Sequence, residues 1–155
     1  MKNEVTFRYA TAADFGAILE LASQLAREIE CEPPPLTVAK LEAYYVGPNS
    51  PMHLLLAIQK SQIVGMIAWT LTHELYSADT RVYISDVSVD RSARGKGIGA
   101  ALMNEVTLWA RARNASKLSW EVWYRNFAAK SFYQRLGASI DDEAISFVMA
   151  LKDQS

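Results

Sequence analysis

A single cysteine, Cys31, stands among 155 residues, so no disulfide forms within the chain. The two histidines, His53 and His73, have no partners at metal-ligand spacings, and no metal is expected. Charge of one sign is also missing, since 16 Lys and Arg stand against 17 Asp and Glu. A protein that grips nucleic acid by its phosphates needs a basic excess, so nucleic acid is not an expected partner. No apolar run approaches the ~20 residues of a membrane span, and no membrane contact is expected. The opening "MKNEVTFRYATAADF" carries acids and lacks an apolar signal core, which predicts a cytoplasmic protein. The chain is 50% hydrophobic and 21% charged, a globular rather than a disordered balance. With no internal repeat and no dividing linker, one domain over residues 1–155 is expected.

The patterning then fixes an order of elements. "VTFRYA" alternates and predicts a strand. Thr11 with Asp14 three residues on predicts a capping box. Ile18, Leu21, Ala22 and Leu25 recur at helical spacing and predict a helix to about Glu30. The prolines of "CEPPPL" break it, and "TVAKLEAYYV" predicts a short second helix. "MHLLLAIQ" and "IVGMIAWTLTHELY" predict strands joined by a hairpin at "QKSQ", and "RVYISDVSV" predicts a third. "GIGAALMNEVTLWARAR" carries an apolar stripe at Ile98, Leu102, Val106 and Trp109 and predicts a helix. "KLSWEVWY" predicts a strand, "FAAKSFYQRL" a helix stopped by Gly137, and "AISFVMAL" a closing strand. The order β-α-α-β-β-β-α-β-α-β predicts an α/β (α+β) fold. Its sheet is mixed and mostly antiparallel, flanked by helices, with a parallel crossover late in the chain.

The segment "ARGKGIGAAL", residues 93–102, places three glycines and two basic residues directly before a helix. A helix start presents unpaired N–H groups and the positive end of the helix dipole. Glycines let an anion approach the backbone closely, so the turn suits a phosphate or pyrophosphate. A flexible surface loop is the plainer reading. The nucleotide P-loop pattern is absent, and a dinucleotide fingerprint has to be forced as Gly95-x-Gly97-x-x-Ala100. A polar "DRSAR" separates that fingerprint from its strand, where a dinucleotide-binding turn would be tight.

Arg-x-x-Gly-x-Gly, met by Arg94, Gly97 and Gly99, is followed by "NFAAKSFYQRLGA" at residues 126–138. Together these motifs resemble the GNAT superfamily of acetyl-CoA-dependent N-acetyltransferases, over nearly the whole chain. Within it the pattern is similar to the diamine acetyltransferase branch. The resemblance implies the GNAT fold, acetyl-CoA as co-substrate and a small-molecule amine as acceptor. It implies that Arg94, Gly95, Lys96, Gly97, Ile98, Gly99 and Ala100 hold the pyrophosphate. The backbone of Val87, Ser88 and Val89 would bond the pantetheine arm where their strand splays from its neighbour, with Asn126 and Ala129 as further cofactor contacts. Tyr133 would protonate the departing thiolate and Asp86 would take a proton from the amine, which attacks the thioester directly. Diamine relatives carry Glu-Asp where this chain has Ser85-Asp86, so the base and a polyamine acceptor stay open. Small members commonly pair, and a homodimer is expected. A non-catalytic CoA-binding module of the same fold is the alternative.

Each residue has a plainer reading beside the functional one. Tyr133 and Phe132 at helical spacing suit a core, and Asn126 suits a helix cap. Asp86 suits a structural hydrogen bond. Trp69, His73, Glu74 and Tyr76, with Trp120, Glu121 and Trp123, divide between an acceptor pocket and the core or a dimer contact. Glu28, Glu30 and Glu32 are either solvated charge or an acidic rim that attracts a cation.

Overall fold

The first strand, β1 (Thr6–Tyr9), leads through a 3-10 turn into α1 (Phe15–Glu28), and one carboxylate joins the two. Asp14 accepts the Thr11 N–H at 2.8 Å, one half of the expected capping box, and the Thr11 hydroxyl turns to the same carboxylate. Arg8 on β1 closes on Asp14 with two bonds of 2.7 and 2.8 Å. That guanidinium is the main reason the carboxyl titrates far below its usual range. This computed structural model describes residues 4–28 and 30–151. Residues to Glu121 form one compact unit and those from Val122 form another.

In the first unit, α1 ends two residues short of the expected Glu30, which itself stands at φ 55°; Ile29 lies outside the described residues. The Pro-rich loop leads to α2 (Val38–Tyr44), whose N-cap Thr37 accepts from the Lys40 N–H. β2 (His53–Gln59) and β3 (Gln62–His73) form the expected hairpin. Its two turn residues, Lys60 and Ser61, both take positive φ, as a primed turn demands even without Asn-Gly. β4 (Thr80–Val89) follows, then α3 (Ile98–Arg111) and β5 (Lys117–Ser119). The sheet order is β1-β2-β3-β4-β5, antiparallel except for the parallel pair β4–β5. This is the mixed sheet that the order of elements predicts, and it excludes a doubly wound dinucleotide-binding fold.

Strict alternation assigns the two sheet faces. Leu54, Leu56, Met66 and Ala68 meet Phe15, Ile18 and Leu21 of α1 and Leu41 of α2. The other face meets α3 closely: a Cβ on Gly65 would lie 3.1 Å from the Ser88 carbonyl and 3.2 Å from a Leu102 methyl. Trp69 is buried there among Tyr9, His53 and Trp109, with ring centroids 5.3–6.1 Å from its own.

One irregularity shapes the rest. Ala68 pairs with Asp86 but Trp69 pairs with Ile84, so Ser85 is an extra residue in β4. Cross-strand partners share a face, so Ile84 and Val87 both lie on the α3 side, and Asp86 shares the α1/α2 side with Ala68.

The second unit holds α4 (Phe127–Arg135). Gly137 at φ 90° ends it, with the Ala138 N–H bonded to the Tyr133 carbonyl and the Gly137 N–H to the Gln134 carbonyl. Two expectations fail. β5 is three residues long instead of running through "KLSWEVWY", because only Lys117–Ser119 find partners on β4. The closing strand at 144–151 does not form: the segment has no ladder partner, and Phe147, Val148 and Met149 are exposed. Its apolar run meets the pattern of a strand, but a strand also needs an edge to pair with.

Candidate active site

The glycine turn is built from the end of β4 outward. The Asp90 carboxylate accepts from the N–H and hydroxyl of Ser92 at 2.8 and 2.6 Å, which fixes a 3-10 turn at Arg91–Ala93 and draws its pKa down. The Asp90 N–H reaches back to the Val64 carbonyl at 2.8 Å. Gly95 and Gly97 then stand at φ 73° and 79°, a region that disfavours side chains. A Cβ on either would meet nothing within 4 Å, so the space before the turn is open. Gly97 caps α3, and the first bond of that helix runs from the Ala101 N–H to the Gly97 carbonyl. The N–H groups of Ile98, Gly99 and Ala100 precede that bond and have no place in the helical ladder.

Arg94 makes two contacts within the chain. Its Nε–H donates to the Val89 carbonyl at 2.9 Å, and its guanidinium pairs with Glu28 of α1 at 2.6 Å. It fastens the turn to the helix and to the strand end. Lys96 Nζ bonds the Ser92 carbonyl at 3.2 Å. Glu28 is therefore no part of an acidic rim; its carboxylate is mostly covered and holds Arg94.

The edge of β4 follows from register. The Asp90 N–H bonds the Val64 carbonyl, so that pair is a hydrogen-bonded one, and every second pair repeats it. Met66–Ser88 is then bonded to β3, whereas Val87 and Val89 turn their N–H and C=O groups away from β3. The Val89 carbonyl, met from outside by Arg94, lies as this alternation requires. β5 pairs only with Arg81, Val82 and Tyr83. Beyond them, among the described residues, no strand lies along the outer edge of β4. Of the three residues whose backbone the resemblance assigns to the pantetheine arm, Val87 and Val89 face outward, with the Val89 carbonyl taken by Arg94, and Ser88 is bonded to β3.

On the α1/α2 face lies a cavity of about 510 Å³. Its carbon lining comes from Ile18, Ala22 and Leu25 of α1, Leu36 and Leu41 near α2, and Leu54, Met66 and Ala68 of the sheet. Asp86 and Ser88 enter it from β4, Cys31 and Glu32 from the loop, Lys40 and Tyr45 from α2 and its end. The Ser85 hydroxyl donates to Asp86 Oδ2 at 2.8 Å. Burial first, and then the Asp86 charge, push the Tyr45 phenol up, so it stays protonated.

Of the residues weighed between an acceptor pocket and the core, Trp69, His73, Glu74 and Tyr76 do not line this cavity. Trp69 belongs to the opposite face, where it lines a second hollow with Trp109. His73 bonds the Thr80 hydroxyl at 3.0 Å, Glu74 pairs with Arg81, and Tyr76 is fully exposed. Glu32, read as a possible acidic rim, does line the cavity, and the residues missed were Leu36, Lys40, Leu41 and Tyr45. Their signal was present as the stripe of Ile18, Ala22 and Leu25 continuing beyond the helix into Leu36 and Leu41, more apolar surface than one short helix needs.

In the second unit, Asn126 Oδ1 accepts the Ala129 N–H at 3.1 Å, so both residues serve the α4 cap. Tyr133 is half-buried, and burial pushes its phenol above the usual value.

A strand with an open outer edge running into a glycine turn at a helix N-terminus sets the class. Residues 17–138 match the acetyltransferase (GNAT) family, and the chain belongs to that family. An N-acetylaspartate synthetase of Danio rerio is 32% identical over 100 residues, 64% of this chain and 34% of that protein. The chain thus spans about a third of the length of this curated relative. A solved structure named as a transcriptional regulator from Bacillus halodurans C-125 is 26% identical, with a TM-score of 0.79 over 94% of this chain and 100% of that one. An aminoglycoside acetyltransferase from an uncultured soil sample shares the fold at 18% identity, with a TM-score of 0.78 over 97% of this chain and 99% of its own.

Proposed function

We propose that this chain moves the acetyl group of acetyl-CoA onto a primary amine in the cytosol, by direct attack of the amine. One observation carries the proposal. The bulge at Ser85 sets the Asp86 carboxylate on the wall of the 510 Å³ cavity, beside the stretch of β4 whose outer edge pairs with no strand among the described residues. That edge and that cavity offer two reactants adjoining places, and side-by-side binding supplies much of an acyl transfer's acceleration.

The residues present suit the cofactor. The open turn at Gly95, Lys96 and Gly97 and the N–H groups of Ile98, Gly99 and Ala100 offer a pyrophosphate both backbone donors and the positive helix end. Arg94 braces this cradle. The outward C=O of Val87 and N–H of Val89 suit an amide-bearing arm, and the Val87 N–H suits the thioester oxygen as negative charge develops there. Bound acetyl-CoA would supply the activated thioester. Asp86 receives the amine's proton, held in orientation by the Ser85 hydroxyl, which stands where diamine relatives carry Glu. Tyr133 returns a proton to the thiolate. Its motif and its protonated phenol support that role. Asn126 and Ala129 contribute through the α4 cap to the cofactor arm. A homodimer belongs to the same proposal, and sedimentation at micromolar concentration tests it.

The test of the function is thiol release from acetyl-CoA across a panel of amines. Amine-dependent release with matching N-acetyl product is expected. Tight acetyl-CoA binding with no release for any amine would replace the enzyme with a CoA-binding module.

A further inference from the structure

We infer that the acceptor is an amine carrying one positive charge on an apolar body, an alkyl- or arylalkylamine. This rests on the acetyltransferase function proposed above and names its substrate class from the cavity. The sheet side of the cavity is Leu54, Met66 and Ala68, and the facing side is led by Ile18 and Leu41 of the helices and Leu36 of the loop. None of these offers a hydrogen bond. An aminoglycoside carries hydroxyl and ammonium groups all round, more than Asp86, Ser88, Glu32, Lys40 and Tyr45 can receive, and the rest would lose water against carbon. An apolar body gains from the same wall, and a cavity of this size accommodates a small organic molecule.

Charge narrows the class further. Three charged side chains line the cavity: Asp86, Glu32 and Lys40. They leave one negative charge in excess, which matches one ammonium. A polyamine brings two or more positive charges, at least one beyond what this balance matches. An acidic amino acid brings two carboxylates toward Asp86 and Glu32, with a single cation to receive them. That cation, Lys40 Nζ, already bonds the Pro35 carbonyl at 3.1 Å. The cavity thus departs from what the acceptor named in the synthetase relative would need.

The experiment has two arms on the wild-type chain. The first measures kcat/KM for propylamine, butylamine, hexylamine and 2-phenylethylamine, against spermidine, aspartate and an aminoglycoside. Each buried methylene should raise kcat/KM about fourfold until the cavity is full. The second measures alkylation of Cys31, the chain's single cysteine, which lines the cavity and is exposed. The same amines should slow its modification in the same order. Turnover of spermidine, aspartate or the aminoglycoside above hexylamine overturns the inference and leaves the acetyltransferase standing. A flat alkyl series does the same. If no amine is acetylated, the enzymatic function falls instead. Protection of Cys31 then decides alone: ordered protection supports an apolar-amine site, and protection independent of chain length overturns it.

Discussion

Arg94 in the glycine turn holds Glu28 of α1 at 2.6 Å, across 66 residues of sequence. The pair is unequal in exposure, with 46% of the Arg94 side chain but 17% of Glu28 open to water. Removing the cation therefore strands a carboxylate that is mostly covered. Arg94→Ala should cost about 1–2 kcal/mol, discounted from a fully buried pair for the exposed arginine. Adding Glu28→Gln should raise the melting temperature again, because the stranded charge is gone. A double variant melting below Arg94→Ala alone would show that the pair is not coupled in this sense.

The turn's second glycine separates shape from charge. At φ 79°, Gly97 accepts Asn or Asp with similar backbone strain, so the two variants differ mainly in charge. Gly97→Asp should bind acetyl-CoA at least about fivefold more weakly than Gly97→Asn, from a repulsion of about 1–4 kcal/mol at contact range. Calorimetric titration of both folded variants measures this. Equal affinities would remove the turn from the phosphate site.

Asp86→Asn keeps the shape of the side chain and its bond from Ser85, and removes a base. The fall in kcat/KM should be largest at low pH, where little free amine exists, and should shrink as pH rises. A pH–rate profile parallel to wild type would assign Asp86 a structural role.

Tyr133→Phe removes one hydroxyl from a half-buried ring. Burial raises this phenol, so it gives up its proton to a thiolate reluctantly and its help is at the modest end of general-acid catalysis. A loss in kcat of about a hundredfold is expected, with acetyl-CoA affinity nearly unchanged. Wild-type turnover in the variant would take Tyr133 out of the chemistry.

Asp14 makes the fold's stability depend on acid. Its carboxyl titrates far below the unfolded value, chiefly because Arg8 bonds both oxygens. The stabilisation is therefore complete above about pH 4, the unfolded value, and is lost as pH falls toward the folded one. Asp14→Asn should cost about 2 kcal/mol at pH 7, or roughly 4–8 °C in melting temperature. The gap between variant and wild type should narrow from pH 5 to pH 2 in thermal melts. A constant gap would place the loss in packing and not in the charge.

Much of this architecture was legible because it is local. Thr11 and Asp14 mark a helix start, the prolines after Cys31 mark its end, and alternation through Leu54, Leu56, Met66 and Ala68 marks the inner sheet face. What was illegible depends on partners distant in sequence. "YISDVSV" alternates plausibly without a bulge, and only the register against Ala68 and Trp69 reveals one. Arg94 beside glycines reads as a free charge until Glu28 is seen to hold it. The cavity of α1, the loop and α2 needed the same knowledge. Apolar side chains report that they will be covered, not whether protein or a guest will cover them.

Ser85 also bears on the length of its strand. β4 carries two phases of alternation, Val82 and Ile84 in one and Val87 and Val89 in the other, joined at this residue. Removing Ser85 would merge the two phases: Ile84, Asp86 and Val87 would alternate without interruption and keep the faces they have now. The layers on both sides of the sheet would stay as they are. What would go is the local bend and the hydroxyl that holds Asp86, so the extra residue serves the site and not the core.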